Sequence, residues 1–308
     1  VKHDDNSSSN KGFTILLSSP PSFTDKSNTD HLTSDDFNCL QPHRRLFSTR
    51  LLGKSVQFYD AVSSTNLLLK EAVLNGSAEE GMVIIANHQT AGKGRYERVW
   101  IDSPGKSLLF SLLLYPNLQL ERISAISLLT SVALRSAVVN SLPADSTAVT
   151  TVQTALALKW PNDLMIRHNG MKKVAGILCE GGTTAEGRRF VIVGVGINLN
   201  LTEDDIPNEL SEKAGSLRFV TGCELSRHSL LQNFLFEMEQ YYFRFPTEGG
   251  DWIAPLWYEI SAIHGSRITV EDRGRSVTGV VSGILPSGAL QVITPMGKVE
   301  TVLTGDSR

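Results

Sequence analysis

The segment Gly92-Lys93-Gly94-Arg95-Tyr96-Glu97-Arg98-Val99-Trp100 holds the densest chemistry in the chain. Gly92 and Gly94 let the backbone approach a ligand closely, and Lys93, Arg95 and Arg98 bring three cations within six residues. Such a loop between two strands can close over a nucleoside and neutralise its phosphate; it can equally be a plain basic hairpin loop. Trp100 can offer a flat face to a purine or fill a core. The familiar phosphate loops are missing. Gly105-Lys106-Ser107 has Trp100 where a Walker A motif needs its first glycine, and Gly53-Lys54-Ser55 has Ser48 there. Gly194-Val195-Gly196 has Leu199 where a dinucleotide fingerprint needs its third glycine.

A second cluster is Lys159-Trp160-Pro161-Asn162-Asp163. Pro161 favours an extended Trp160, and the polar residues around it form a knot that must be hydrogen-bonded, as a structural turn or as a binding site. Lys173-Val174-Ala175-Gly176-Ile177-Leu178 follows. An isolated glycine such as Gly176 in an apolar strand often marks a close approach of backbone or ligand. No convincing Ser or Cys triad is visible. The three cysteines, Cys39, Cys179 and Cys223, are sparse and far apart, which argues against a disulfide framework or zinc site and fits a reducing compartment.

The elements that must carry these clusters alternate helix and strand. Val62-Ser63-Ser64-Thr65-Asn66 before Leu67 and Leu68 predicts a short helix capped by a hydroxyl or amide side chain. Met82–Asn87 and Ser107–Tyr115 read as buried strands, and Glu121–Leu142 as a long helix. Asp163–Ile166, Asn169-Gly170 and Lys172–Glu180 read as a hairpin. Phe190–Asn198 is a further strand, with helices near Arg227–Phe243 and Trp252–Ile260. From Gly265 the texture changes to short strands (Arg267–Val270, Val277–Gly283, Ala289–Ile293, Val299–Leu303), as in a small β-barrel. This predicts an α+β chain: an N-terminal segment 1–50, a main domain 51–264 and a barrel 265–308.

With 308 residues, a net charge of −3 and a sequence pI near 6.2, the chain is ordinary for a globular protein. Bulk binding to nucleic acid or anionic membrane is not expected. Apolar runs such as Leu108–Leu114 fall far short of the ~20 residues of a membrane span. Residues 1–40 are rich in Ser, Asn and Asp and read as disordered, with Arg44, Arg45 and Arg50 as a solvated linker or the remnant of a targeting segment. The chain starts at Val1 rather than Met, as a trimmed or processed form does.

Taken together, Ser64-Thr65-Asn66, Gln89, the 92–100 loop, KWPNDLMI at 159–166, KVAGIL at 173–178 and GVGIN at 194–198 resemble the biotin–protein ligases, or holocarboxylase synthetases, in family order over about residues 55–305. The resemblance implies a class II synthetase-like catalytic domain, with a mixed or antiparallel sheet flanked by helices, and an SH3-like C-terminal barrel. It implies an enzyme that forms biotinyl-5′-AMP from biotin and Mg2+-ATP and passes biotin to a lysine of carboxylase carrier domains. It further implies biotin contacts at Ser64, Thr65, Asn66, Gln89, Gly92, Lys93, Gly94, Arg95, Lys173, Gly176 and Gly196. The ATP side falls to Arg95, Arg98, Trp100, Asn162 and Lys173, with Arg95 and Lys173 as the catalytic cations. Asp163 would orient the acceptor lysine or serve structure alone. No resident metal, DNA or membrane partner is expected, and the compartment would be cytoplasm, plastid or mitochondrion. The family loop often reads G-R-G-R-x-G-R; here Lys93 replaces the first Arg and Glu97 the third Gly. Rival readings are a lipoate-type ligase or acyltransferase, a DNA-binding repressor on the same domain and a non-catalytic biotin-binding module. The repressor needs an N-terminal helix-turn-helix, for which residues 1–50 show no periodicity.

Overall fold

The computed structural model describes residues 47–307, except 118–122, 143–145, 249 and 273. The expectations for residues 1–46, with Cys39, Arg44 and Arg45, lie outside the described residues.

Seven strands form one mixed sheet: β1 (Val56–Val62), β2 (Val83–Gln89), β3 (Ser107–Leu114), β4 (Leu156–Lys159), β5 (Asp163–Arg167), β6 (Met171–Thr183) and β7 (Arg189–Asn198). Their order is β1-β2-β3-β7-β6-β5-β4, with β1 and β2 parallel and every other pair antiparallel. All eight residues of β3 are buried, because this near-central strand is covered on both faces.

The two faces differ. On one, Leu108, Phe110 and Leu112 of β3, Val193, Val195 and Ile197 of β7, and Ala175 and Ile177 of β6 join the main core. That core is closed by α2 (Ile123–Asn140), α5 (Arg227–Glu248) and α6 (Ile253–Glu259). On the other face, Ile84, Leu113 and Ile192 form a smaller cluster with Met82, Phe190, and Leu69 and Val73 of α1 (Thr65–Leu74). The rest of that face is left for the site. Two shorter helices, α3 (Ser146–Ala155) and α4 (Arg218–Thr221), complete the domain.

Several expectations hold with shifted ends. The Asn-Gly hairpin is present, with Asn169 at φ 49° and Gly170 at φ 105°, both positive as a tight turn requires. The capping expectation fails: Ser64 stands at the N-cap of α1 but makes no side-chain cap, and the side chains of Thr65 and Asn66 turn to Gln89, Ser111 and Glu180. Helix α3 was not foreseen. Its sequence, STAVTTVQTA, is rich in β-branched residues that favour strands, and buried Val152 shows core packing overriding that preference.

At the N-terminal edge, the carboxylate of Glu239 on α5 accepts the backbone N–H groups of Arg50, Leu51 and Leu52 at 2.6, 2.7 and 2.9 Å. This ties the chain's entry segment to the helical layer.

The C-terminal sheet comprises β8 (Arg267–Asp272), β9 (Arg275–Ile284), β10 (Leu290–Ile293), β11 (Val299–Val302) and β12 (Asp306–Ser307), antiparallel in the order β11-β10-β9-β8-β12. Its Ile268, Val270, Val281, Leu290 and Val292 belong to the same continuous core as Trp257 and Trp160. Trp160 Nε1 donates to Gly288 O at 3.0 Å, and Ser307 Oγ donates to Trp160 O at 3.1 Å. The change of texture at Gly265 therefore marks a change of secondary structure and not the end of one core.

Candidate active site

The site begins with missing side chains. Ser111, Gly194 and Leu178 are register partners across β3, β7 and β6, and Leu109, Gly196 and Gly176 form the next row on the same face. Without side chains at 176, 194 and 196, this patch of sheet is hollow. A Cβ at Gly194 would lie 2.2 Å from Asn66 Oδ1; one at Gly196 would lie 2.6 Å from Trp100 Cε2. One hollow holds the start of α1, the other the Trp100 indole.

Lys173 reaches this face through a β-bulge. Along β6, alternation would put residue 174 with Gly176 and residue 173 behind the sheet. The register against β5 instead slips by one residue between Leu164 and Met165, leaving Val174 as the extra residue. Val174 and Ala175 both enter the helix-side core, and Lys173 comes round to the cavity side. Its backbone is fixed from below: Lys173 N donates to Lys213 O at 2.7 Å, and Gly215 N to Lys173 O at 2.8 Å. Its ammonium stands 2.6 Å from Asp163 Oδ1 and 5.6 Å from the centre of the Trp100 ring.

KWPND is both turn and wall. It links β4 to β5 through a cis Trp160–Pro161 bond. Asn162 extends the ladder, donating Nδ2 to Ile177 O at 2.6 Å and accepting the Ile177 N–H at 3.0 Å.

The basic loop is a miniature hairpin over the hollow. Trp100 N donates to Gly92 O at 2.9 Å and Gly94 N to Arg98 O at 2.7 Å. Its turn has Tyr96 at φ 54° and Glu97 at φ 57°. Position 97 therefore takes the left-handed conformation that the family's usual glycine adopts without strain. Two arginines of the loop touch the end of the barrel: Arg95 Nη1 donates to Gly305 O at 3.2 Å, and Arg98 is ion-paired with Asp306.

These parts enclose a cavity of about 560 Å³. Ser64, Thr65, Asn66, Gln89, Lys93, Gly94, Arg95, Arg98, Trp100, Asn162, Asp163, Lys173, Gly176 and Gly196 all line it. Gly92 does not; it backs Trp100, whose carbonyl oxygen would lie 2.7 Å from a Cβ there. One end is neutral and hydroxyl-rich, with Thr65 N donating to Gln89 Oε1 at 2.8 Å. The other end is cationic: the lining holds six Lys and Arg residues (93, 95, 98, 159, 173, 213) against Asp163 and Asp306. Trp100 Nε1 and Asn198 Oδ1 are buried there without a hydrogen-bond partner, as groups waiting for a ligand are. A smaller cavity of about 130 Å³ adjoins it between sheet and barrel, bordered by Arg95, Ser127, Asn162, Gly288 and Leu303. Burial pushes the Cys179 thiol beside it up to about 12, so this is no thiolate nucleophile. Among the described residues no cluster of three or more His, Cys, Asp or Glu is placed to hold a metal ion.

Ser111, Glu180, Lys213, Asp306 and Ser307 went unrecognised in the sequence. Ser111 left a signal, a polar residue inside the otherwise apolar run SLLFSLLL. Asp306 left none, since its partner Arg98 is 208 residues away.

A glycine-hollowed sheet face lies under a basic hairpin and is closed by the last strand of a small barrel, and its lining joins neutral polar groups to clustered cations. Residues 58–198 match the biotin/lipoate A/B protein ligase family, and residues 263–306 match the biotin protein ligase C-terminal domain. The chain is 34% identical over 249 residues to the bifunctional ligase/repressor BirA of Bacillus spizizenii, spanning 81% of this chain and 72% of that protein. It is 29% identical over 245 residues to the biotin–[acetyl-CoA-carboxylase] ligase of Mycobacterium tuberculosis, spanning 79% and 84%. The structure of biotin protein ligase from Aquifex aeolicus in complex with biotin and ATP superposes with a TM-score of 0.66 at 26% identity, covering 83% of this chain and 98% of that one. The chain belongs to the biotin–protein ligase family.

Proposed function

We propose that the chain is an ATP-dependent biotin–protein ligase that makes biotinyl-5′-AMP and transfers biotin to a lysine of a biotin carrier domain. The observation that carries this reading is the polarity of the cavity, hydroxyl and amide groups at one end and clustered cations at the other. A cyclic urea has N–H donors and a carbonyl acceptor, which suit Ser64, Thr65, Asn66 and Gln89. A carboxylate attacking an α-phosphate brings two anions together. The fixed charges of Arg95 and Lys173, with Lys93 and the Gly94 backbone, are suited to offset their repulsion.

In the first step a biotin carboxylate oxygen attacks the α-phosphorus and pyrophosphate leaves. In the second, the acceptor amine attacks the mixed anhydride, AMP leaves and the amine loses a proton. Arg98, Trp100 and Asn162 are assigned to the nucleotide side, where Asn162 also borders the smaller cavity. Mg2+ would enter with ATP, as the Mg-ATP substrate, and would help neutralise the phosphates. Asp163 is assigned the positioning of Lys173 through Oδ1, with its second carboxylate oxygen available to orient the acceptor lysine. A closed hairpin over the adenylate would keep water from the anhydride until a carrier arrives.

The names of relatives such as the Mycobacterium tuberculosis protein support the carrier domains of biotin-dependent carboxylases as acceptors. The compartment is assigned to cytoplasm, plastid or mitochondrion; no helix among the described residues is long and apolar enough to cross a membrane. The main domain is assigned to residues 51–264 and the barrel to 265–308. The test is mass spectrometry of a carrier domain incubated with the chain, biotin and Mg-ATP. One added biotinyl group that disappears without ATP is expected. An unmodified carrier, with no biotin-dependent pyrophosphate release, overturns the reading.

A further inference from the structure

Beneath the neutral end of the cavity lies a hydrogen-bond chain that reaches Glu180, a residue outside the cavity wall. Asn66 Nδ2 donates to Glu180 Oε2 at 2.6 Å and to Leu178 O at 3.3 Å. Both amide hydrogens are thereby committed, and the amide is held with Oδ1 turned toward β3. There Ser111 Oγ stands 2.6 Å from Asn66 Oδ1 and 2.7 Å from Thr65 Oγ1. Asn66 and Ser111 are buried, and the bare backbone of Gly194 provides the space the amide occupies.

Proton counting fixes the direction of this chain. Asn66 Oδ1 carries no hydrogen, so its contact with Ser111 needs the Ser111 proton. Ser111 has only that one, so its contact with Thr65 must run from Thr65 to Ser111. The competing contact of Thr65 Oγ1 with Gln89 Oε1 is longer, at 3.1 Å, and Gln89 Oε1 already accepts the Thr65 backbone N–H. Thr65 Oγ1 therefore presents lone pairs, and no hydrogen, to the cavity that it lines.

We infer that Glu180 is a positioning residue which, through Asn66 and Ser111, sets the Thr65 hydroxyl as the acceptor for a ring N–H of the bound ligand. The inference rests on the ligase reading, in which that ligand is the cyclic urea of biotin. A carboxylate has no donor of its own, so Glu180 opposes the flipped amide. A flip would give Ser111 an N–H, send the Ser111 proton to Thr65 and turn the Thr65 hydrogen toward Gln89 or the ligand. Thr65 would then face the urea N–H as a donor, and the site would lose its preference for N–H over a ring oxygen or sulfur at that place.

The experiment is biotin-dependent pyrophosphate exchange by the full chain, with biotin varied at saturating Mg-ATP. Glu180→Met keeps the length and removes the acceptor, Glu180→Gln keeps an acceptor oxygen, and Ser111→Ala breaks the chain one link on. Loss of one well-placed hydrogen bond predicts about a tenfold rise in biotin KM for E180M and S111A, with kcat within about twofold, and a smaller rise for E180Q, whose amide can pair with either orientation of Asn66. Because both substitutions cut one chain, the E180M/S111A double variant is expected to stay near tenfold. A wild-type KM in S111A, a wild-type KM in folded E180M, or a double variant near a hundredfold overturns the inference. If wild type itself exchanges no pyrophosphate in the presence of biotin, the ligase reading falls instead.

Discussion

Gly196→Ala adds one methyl group to the floor of the cavity, and its cost can be worked from the coordinates. The new Cβ would lie 2.6 Å from Trp100 Cε2, 2.9 Å from Nε1 and 3.0 Å from Cζ2. Carbon atoms pack at about 3.5–4.0 Å, so the indole has to rise by roughly 1 Å. Gly196 is in an extended strand, where alanine is at ease, and Trp100 is half-buried on a loop that can yield. The fold should therefore absorb the change, with a Tm shift of no more than about 3 °C. Catalysis should not, because a misplacement of about 1 Å at a reacting centre can cost on the order of a hundredfold. Biotin-dependent pyrophosphate exchange, run with ATP and then biotin as the varied substrate, is expected to fall about a hundredfold while the biotin KM moves little. Trp100→Phe in the same background, with a smaller ring, should recover part of the loss. Wild-type exchange by G196A would refute the account of the glycine floor. A loss that merely tracked a large fall in Tm would make Gly196 a structural residue only.

Lys173→Ala is expected to lower adenylate formation about a hundredfold with the thermal transition intact, since one electrostatic contact to a developing charge is worth ~3 kcal/mol; exchange at the wild-type rate would remove Lys173 from the chemistry. Glu239→Ala leaves three backbone amides without their acceptor, and at ~1 kcal/mol each it should lower unfolding stability by about 3 kcal/mol in urea, whereas a loss below ~1 kcal/mol would argue against the clamp. Ending the chain before Gly265 should abolish a single cooperative unfolding transition, because Trp160 and Trp257 would lose part of the core they share with the barrel; a truncate that melted like the parent would show the barrel to be an independent unit.

Much of the fold was legible because its strands are long and apolar: β3 and β7, and the turn at Asn169-Gly170, follow from pattern and turn chemistry alone. Strand β1 was harder. VQFYDAV lies at the sheet edge and mixes exposed and half-buried residues, so it lacks the alternation of a strand with one wet face. Helix α3 was hidden by its β-branched composition. In the site, clustered residues such as 92–100 and 159–163 announced themselves because polar and glycine residues are concentrated in short stretches. Residues that join the site singly, from distant elements, did not. Glu180 looks like the polar end of an apolar strand, and Asp306 like a solvated acid near the end of the chain. Tertiary structure alone brings them to Asn66 and Arg98. The barrel's texture was read correctly, but texture reports local secondary structure and is silent on whether two regions share a core.

The bulge at Val174 leaves a trace in the spelling of the chain. On a regular strand, residues sharing a face stand an even number of positions apart, yet Lys173 and Gly176 face one cavity at an odd spacing. The KVAG spacing thus encodes a dislocation as well as a set of side chains. Deleting Val174 would restore the pleat and leave the lysine on the cavity side at an even spacing, but it would take one fully buried side chain out of the apolar layer. Both residues between the lysine and the glycine are fully buried, so this stretch is constrained in polarity as well as in length: a relative that carries the same lysine at an even spacing has to place it with an unbulged strand.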